Sequence, residues 1–99
     1  MDERKTVLSA LKNKIFKVLP LKEEGNPHLS VYVESLRIYV EGMMSLSSWE
    51  SMYADLHEVV CVLLYLTEND CGVSTYRREV FRLLHNVDRM ITEMGEAHD

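Results

Sequence analysis

With 99 residues, 46% of them hydrophobic and 27% charged, the chain has the composition of one small globular domain rather than a disordered segment. Its net charge of −5 disfavours binding to nucleic-acid phosphates, and no apolar stretch approaches the roughly 18 residues that cross a bilayer. The first residues, 1–5, are not followed by the apolar run of a signal peptide, so we expect a cytoplasmic protein. A chain this short buries a modest core, which favours oligomerisation.

Apolar residues at helical spacing predict a first helix over residues 2–19. Leu8, Leu11 and Ile15 lie on its apolar side, and lysines occupy much of the remainder. Pro20 disfavours helix at the preceding residue, so the helix is predicted to end at Leu19. Six basic and two acidic side chains give residues 1–22 a charge of +4, which makes this a basic helix on an acidic protein.

The second segment, residues 26–44, allows two interpretations. Asn26 followed by Pro27 is typical of a helix start, and apolar residues then recur every three or four positions. The β-branched and aromatic residues at 31–33 and 38–40 instead favour strands, and a small hairpin at about residues 29–41 would give an α+β fold. We expect the helix.

The third segment, residues 47–66, contains eight consecutive apolar residues from Val59 to Leu66. On a water-facing helix some of these side chains would point to solvent, so we expect the run to be covered on most sides. Cys61 lies within the run and is therefore predicted to be a small core residue.

The fourth segment, residues 74–96, has the regular spacing of a long amphipathic helix. Four helical segments joined by short connectors predict an all-α protein, a four-helix antiparallel bundle that forms a single domain over residues 1–99.

His57 and Cys61 stand four residues apart on one face of the third helix, where a zinc site or a thiol enzyme could use them. A zinc site would need Cys71 or His85 and a carboxylate such as Glu58 as well. The chain has no Cys-x-x-Cys pair and no glycine-rich phosphate loop, and acidic neighbours of Cys71 work against a thiolate. A disulfide between the two cysteines is a further alternative. We expect no enzyme, no metal and no cofactor.

Several apolar residues fall outside the stripes that one buried helix requires, which indicates a protein interface. The residues assigned to it are Val31, Ile38, Tyr39, Met43, Met44 and Phe81. We therefore expect a non-enzymatic protein–protein interaction module, a homodimeric regulator, adaptor or chaperone-like protein. The alternative is a nucleic-acid-associated regulator that uses basic residues of the first helix, namely Arg4, Lys5, Lys12, Lys14 and Lys17.

Overall fold

The computed structural model describes residues 3–69 and 71–96, except for the side chains of residues 47–48 and 94–96. The described residues form helices and contain no strand, which confirms the all-α prediction. The helices are α1 (Glu3–Phe16), α2 (Val18–Glu23), α3 (Leu29–Met44), α4 (Tyr53–Glu68) and α5 (Val73–Glu96), and a 3₁₀ turn at Ser47–Met52 precedes α4. Because α3 is continuous through residues 29–41, the hairpin alternative is wrong.

The predicted end of the first helix at Leu19 is also wrong, because the helix breaks earlier and resumes through Pro20. Lys17 separates α1 from α2, and its N–H bonds to the carbonyl oxygen of Lys14 at 3.3 Å. Pro20 is then the third residue of α2, where a backbone N–H has no partner within the helix. The hydroxyl of Tyr32 donates to the Lys14 carbonyl oxygen at 2.7 Å and so compensates for the interrupted helix.

The helices associate as two closely packed pairs. α3 packs along α4, α1 packs along α5, and α2 contacts both α3 and α5. Lys12 of α1 contacts Asp88, and Phe16, one turn later, contacts Phe81. Moving forward along α1 from Lys12 to Phe16, the contacted residue on α5 moves backward from Asp88 to Phe81. This order fits antiparallel packing of the two helices. The result is an elongated molecule of 43 × 23 × 19 Å.

Buried apolar side chains from all five helices form one core cluster, and no polar side chain of the described residues is buried with them. The members with no measurable exposure are Leu8, Ile15, Val18, Leu56, Tyr76, Val80 and Val87. None of the helices in the described part is both long enough and apolar enough to cross a membrane.

The apolar run in α4 is less enclosed than its sequence predicts. Val59, Val60, Leu63 and Leu66 are buried, but Tyr65 is 64% exposed. The prediction that Cys61 is a core residue is wrong, because its side chain is exposed. The reason is that α4 packs along α3 and touches α5 far less, so one side of α4 has no covering helix.

Candidate functional site

The most exposed aliphatic side chains of the described residues lie on the outer face of α3. Val31 is 65% exposed and Ile38 is 60% exposed, and a separation of seven residues places them on one side of the helix. The opposite side of α3 faces the core, and its buried residues are Val33, Leu36, Val40 and Met43. Among the described residues, α3 therefore has one covered apolar face and an opposite face on which Val31 and Ile38 are exposed.

The outer face can be indexed as a heptad, in which the apolar residues Val31 and Ile38 occupy equivalent positions seven residues apart. Its members follow each other at alternating intervals of four and three residues, as the a and d positions of a heptad do. We call this set the outer seam, and it consists of Val31, Ser35, Ile38, Gly42 and Ser45. All five residues are exposed.

The polar members of the outer seam make their hydrogen bonds within α3. The Ser35 hydroxyl donates to the carbonyl oxygen of Tyr32 at 2.6 Å, and the Ser45 hydroxyl donates to that of Gly42 at 2.7 Å. Because these donors are satisfied, another helix can cover them without leaving a hydroxyl hydrogen unpaired. Apart from the adjacent backbone of α3, no described atom lies within 4 Å of the position that a Cβ of Gly42 would occupy, so the described residues leave room for a larger side chain there.

A charged cluster lies beside the outer seam. Arg37 donates to Glu34 and, at 2.7 Å, to Oε2 of Glu41. The hydrogen bond from Arg37 holds the pKa of the Glu34 carboxyl below its ordinary value, and the two carboxylates raise the pKa of the guanidinium. This flank of α3 is therefore charged but internally paired.

Three other residues of the predicted interface lie against the core. Tyr39 is half-buried, and Nζ of Lys14 lies 5.2 Å from its ring centre. Met44 is also half-buried. Met43 is only 7% exposed and continues the inner face of α3, so its assignment to an accessible surface is wrong.

Phe81 belongs to a different surface, on the α1–α5 pair. Its ring is 40% exposed and contacts that of Phe16 edge to face, with the ring centres 5.7 Å apart. The guanidinium of Arg77 lies 5.4 Å from the Phe81 ring centre and pairs with Glu23 at 2.7 Å. Phe81 is thus covered by its own chain to a greater extent than Val31 and Ile38 are.

The exposed side of α4 carries a thiol next to an imidazole. Sγ of Cys61 lies 3.6 Å from Nδ1 and 3.8 Å from Nε2 of His57. The His57 ring stacks on Tyr53, with ring centres 5.8 Å apart and planes inclined by 10°. In the part of the chain that the structure describes, no three His, Cys, Asp or Glu side chains converge as metal ligands, so the hypothetical zinc set is not brought together.

A groove of about 660 Å³ lies between α4 and α5, where the two helices diverge. Both cysteines line it, with Val62, Tyr65 and Leu66 of α4 as apolar neighbours and Glu79 and Arg82 on the α5 side. Sequence reasoning missed this groove because it placed the whole Val59 to Leu66 run in the core. No local pattern encodes the distance between two helices.

Lysines of the basic first helix contact the rest of the chain. Nζ of Lys12 lies 2.7 Å from Oδ1 of Asp88, and Lys14 lies over the Tyr39 ring. These contacts partly neutralise the charge that a nucleic-acid partner would use.

Compared with known proteins, the chain matches no family model, and neither a curated protein nor a solved structure is significantly similar to it.

Proposed function

We propose that this protein is a non-enzymatic protein–protein interaction module that forms a homodimer through the outer seam of α3. The observation that carries the proposal is the exposure of Val31 and Ile38 on a face with regular heptad spacing. A regulatory, adaptor or chaperone-like role fits such a module. The nucleic-acid alternative has less support, since Lys12 and Lys14 already interact with Asp88 and Tyr39.

The outer seam is complementary to itself. If two copies of α3 pack antiparallel about a two-fold axis, Val31 of each protomer meets Gly42 of the other, and Ile38 meets Ser35. The small side chains of Ser35 and Gly42 permit a close approach between the helix backbones. The two-fold axis repeats each contact, so the exposed faces of both protomers are covered. Symmetric dimerisation of this kind is the usual way in which a small helical domain covers an apolar face.

The expected affinity is low. Full burial of a valine or isoleucine gains about 1.5–3 kcal/mol, and a symmetric dimer covers four such side chains that are already partly covered. Association itself costs roughly 4–15 kcal/mol, so these side chains supply only a small net gain. We therefore expect a reversible dimer whose population depends on protein concentration.

The first experiment compares the wild type with Ile38→Asp by sedimentation or light scattering over a concentration series. The wild-type mass is expected to rise towards that of a dimer, whereas Ile38→Asp should remain a monomer of unchanged helix content. Tyr65→Asp is the matched control, because Tyr65 is equally exposed, at 64%, but lies on α4. A wild type that stays monomeric throughout, or an Ile38→Asp variant that dimerises normally, would contradict the proposal.

Gly42→Leu gives a second, sharper test. A leucine side chain at position 42 points into open space in the protomer and improves helix propensity, so the monomer should gain up to about 1 kcal/mol of stability. The same side chain separates the two α3 helices in the proposed dimer. We expect a variant that melts at a higher temperature when dilute but dimerises more weakly. If Gly42→Leu dimerises as strongly as the wild type, the dimer contact does not include Gly42.

A further inference from the structure

The two cysteines of this protein line one groove but have different surroundings. Cys71 is half-buried, and its thiol donates to the carbonyl oxygen of Leu66 with Sγ at 3.6 Å. Cys61 is exposed on the groove wall, and its sulfur contacts the imidazole of His57 instead. A small reagent that enters the groove therefore meets one thiol beside a base and one thiol bonded to the backbone.

The position of His57 suits it to accept the thiol proton. A neutral imidazole has one unprotonated nitrogen, and both ring nitrogens lie within 3.8 Å of the Cys61 sulfur. Either tautomer can therefore present an acceptor after a small rotation of the ring. Stacking on Tyr53 limits how far the ring turns away.

We propose that Cys61 is a site of mixed-disulfide formation with low-molecular-weight disulfides. In this step His57 takes the proton of the thiol, and the resulting thiolate attacks one sulfur of the incoming disulfide. The disulfide bond of the reagent breaks as the new bond to Cys61 forms. The second sulfur leaves as a thiolate and takes the proton back from the imidazolium, so one small thiol is released for each protein modified.

The groove can hold the substituent that becomes attached. Val62 and Tyr65 lie beside Cys61 on the α4 wall and offer apolar contact. Arg82 lies on the α5 wall, where it pairs with Oε2 of Glu79 at 2.8 Å and its side chain remains 62% exposed. Glu79 offsets the charge of Arg82, but the exposed part of the guanidinium keeps hydrogen-bond donors for a substituent that carries a carboxylate, such as a small acidic peptide thiol.

The test treats the reduced full-length protein with glutathione disulfide and follows modification by intact mass and peptide mapping. Cys71→Ser should react at the wild-type rate, and Cys61→Ser should lose most of the reaction. His57→Gln should slow the modification of Cys61 roughly tenfold, because the proton acceptor is gone. His85→Gln is the matched control, since His85 is an equally exposed histidine on α5.

Two outcomes would overturn the proposal. One is preferential modification of Cys71 in the wild type, and the other is equal rates for His57→Gln and His85→Gln. Because Cys61, His57 and His85 are exposed and serine differs from the half-buried Cys71 by one atom, far-ultraviolet circular dichroism should show the same helix content in every variant. The reaction does not depend on the outer seam of α3, so its result is independent of the homodimer proposal.

Discussion

The hydroxyl of Tyr76 lies 3.3 Å from Oγ1 of Thr67 and links the start of α5 to the end of α4. Thr67 uses its own hydrogen to bond the carbonyl oxygen of Leu63 at 2.8 Å, so Tyr76 must be the donor in this pair. Nζ of Lys22 lies 5.3 Å from the centre of the Tyr76 ring, which adds a contact from α2. A fully buried tyrosine therefore connects three helices.

Replacing Tyr76 with phenylalanine should lower the free energy of unfolding by about 1 kcal/mol. The loss is limited because Thr67 keeps its bond to Leu63 and the buried ring is retained. Thr67→Val is the control, since it leaves the Tyr76 hydroxyl without its acceptor and should cost more, about 1–3 kcal/mol. Urea unfolding measures both values. A larger cost for Tyr76→Phe than for Thr67→Val would mean that the hydroxyl has another partner.

Stability should also depend on Tyr76 at alkaline pH. Burial raises the pKa of the Tyr76 phenol above its ordinary value of 10.0, so the folded state favours the neutral form. This contribution is fully present below the ordinary tyrosine pKa and is lost as pH rises through the higher pKa of the folded state. Between neutral and alkaline pH, the free energy of unfolding should fall less for Tyr76→Phe than for the wild type. An equal fall in both proteins would mean that Tyr76 is not the group responsible.

Because α4 is covered unevenly, alanine substitutions at two nearby residues should lower the free energy of unfolding by very different amounts. Leu63 is 2% exposed, so Leu63→Ala should leave a cavity and lower the free energy of unfolding by about 2–5 kcal/mol. Tyr65 is 64% exposed, so Tyr65→Ala should change it by no more than about 0.5 kcal/mol. Chemical denaturation compares the two variants. Similar losses for both would mean that the run is enclosed after all.

Periodicity predicted most of α3, because its apolar residues occur in two separate sets. Val33, Leu36 and Val40 repeat every three or four positions and form the covered face, while Val31 and Ile38 fall outside that repeat. Regular spacing thus indicated both the core and the outward-facing residues. Spacing also places Met43 with the inner set, and it was assigned to the interface only because methionine is common at surfaces that accommodate partners.

Periodicity could not show which side chains of the Val59 to Leu66 run face the core. Every residue in the run is apolar, so the sequence contains no alternation between apolar and polar positions. Which of its side chains are covered depends on the distances to α3 and α5, and these are set by the packing of the whole molecule. The exposure of Cys61 beside His57 follows from those distances. The helix break at Lys17 was likewise hidden, since nothing in the spacing of the first segment interrupts it.

The pairing of α1 with α5 affects the order in which the protein can fold during synthesis. α3 and α4 are neighbours in the chain and can associate as soon as residues 29–68 leave the ribosome. Leu8, Leu11 and Ile15 lie on α1, whose main packing partner α5 is made last of the described helices. At about 5–20 residues per second, these side chains stay uncovered for roughly 3–15 seconds. During that interval the nascent chain presents an apolar helix to which chaperones can bind.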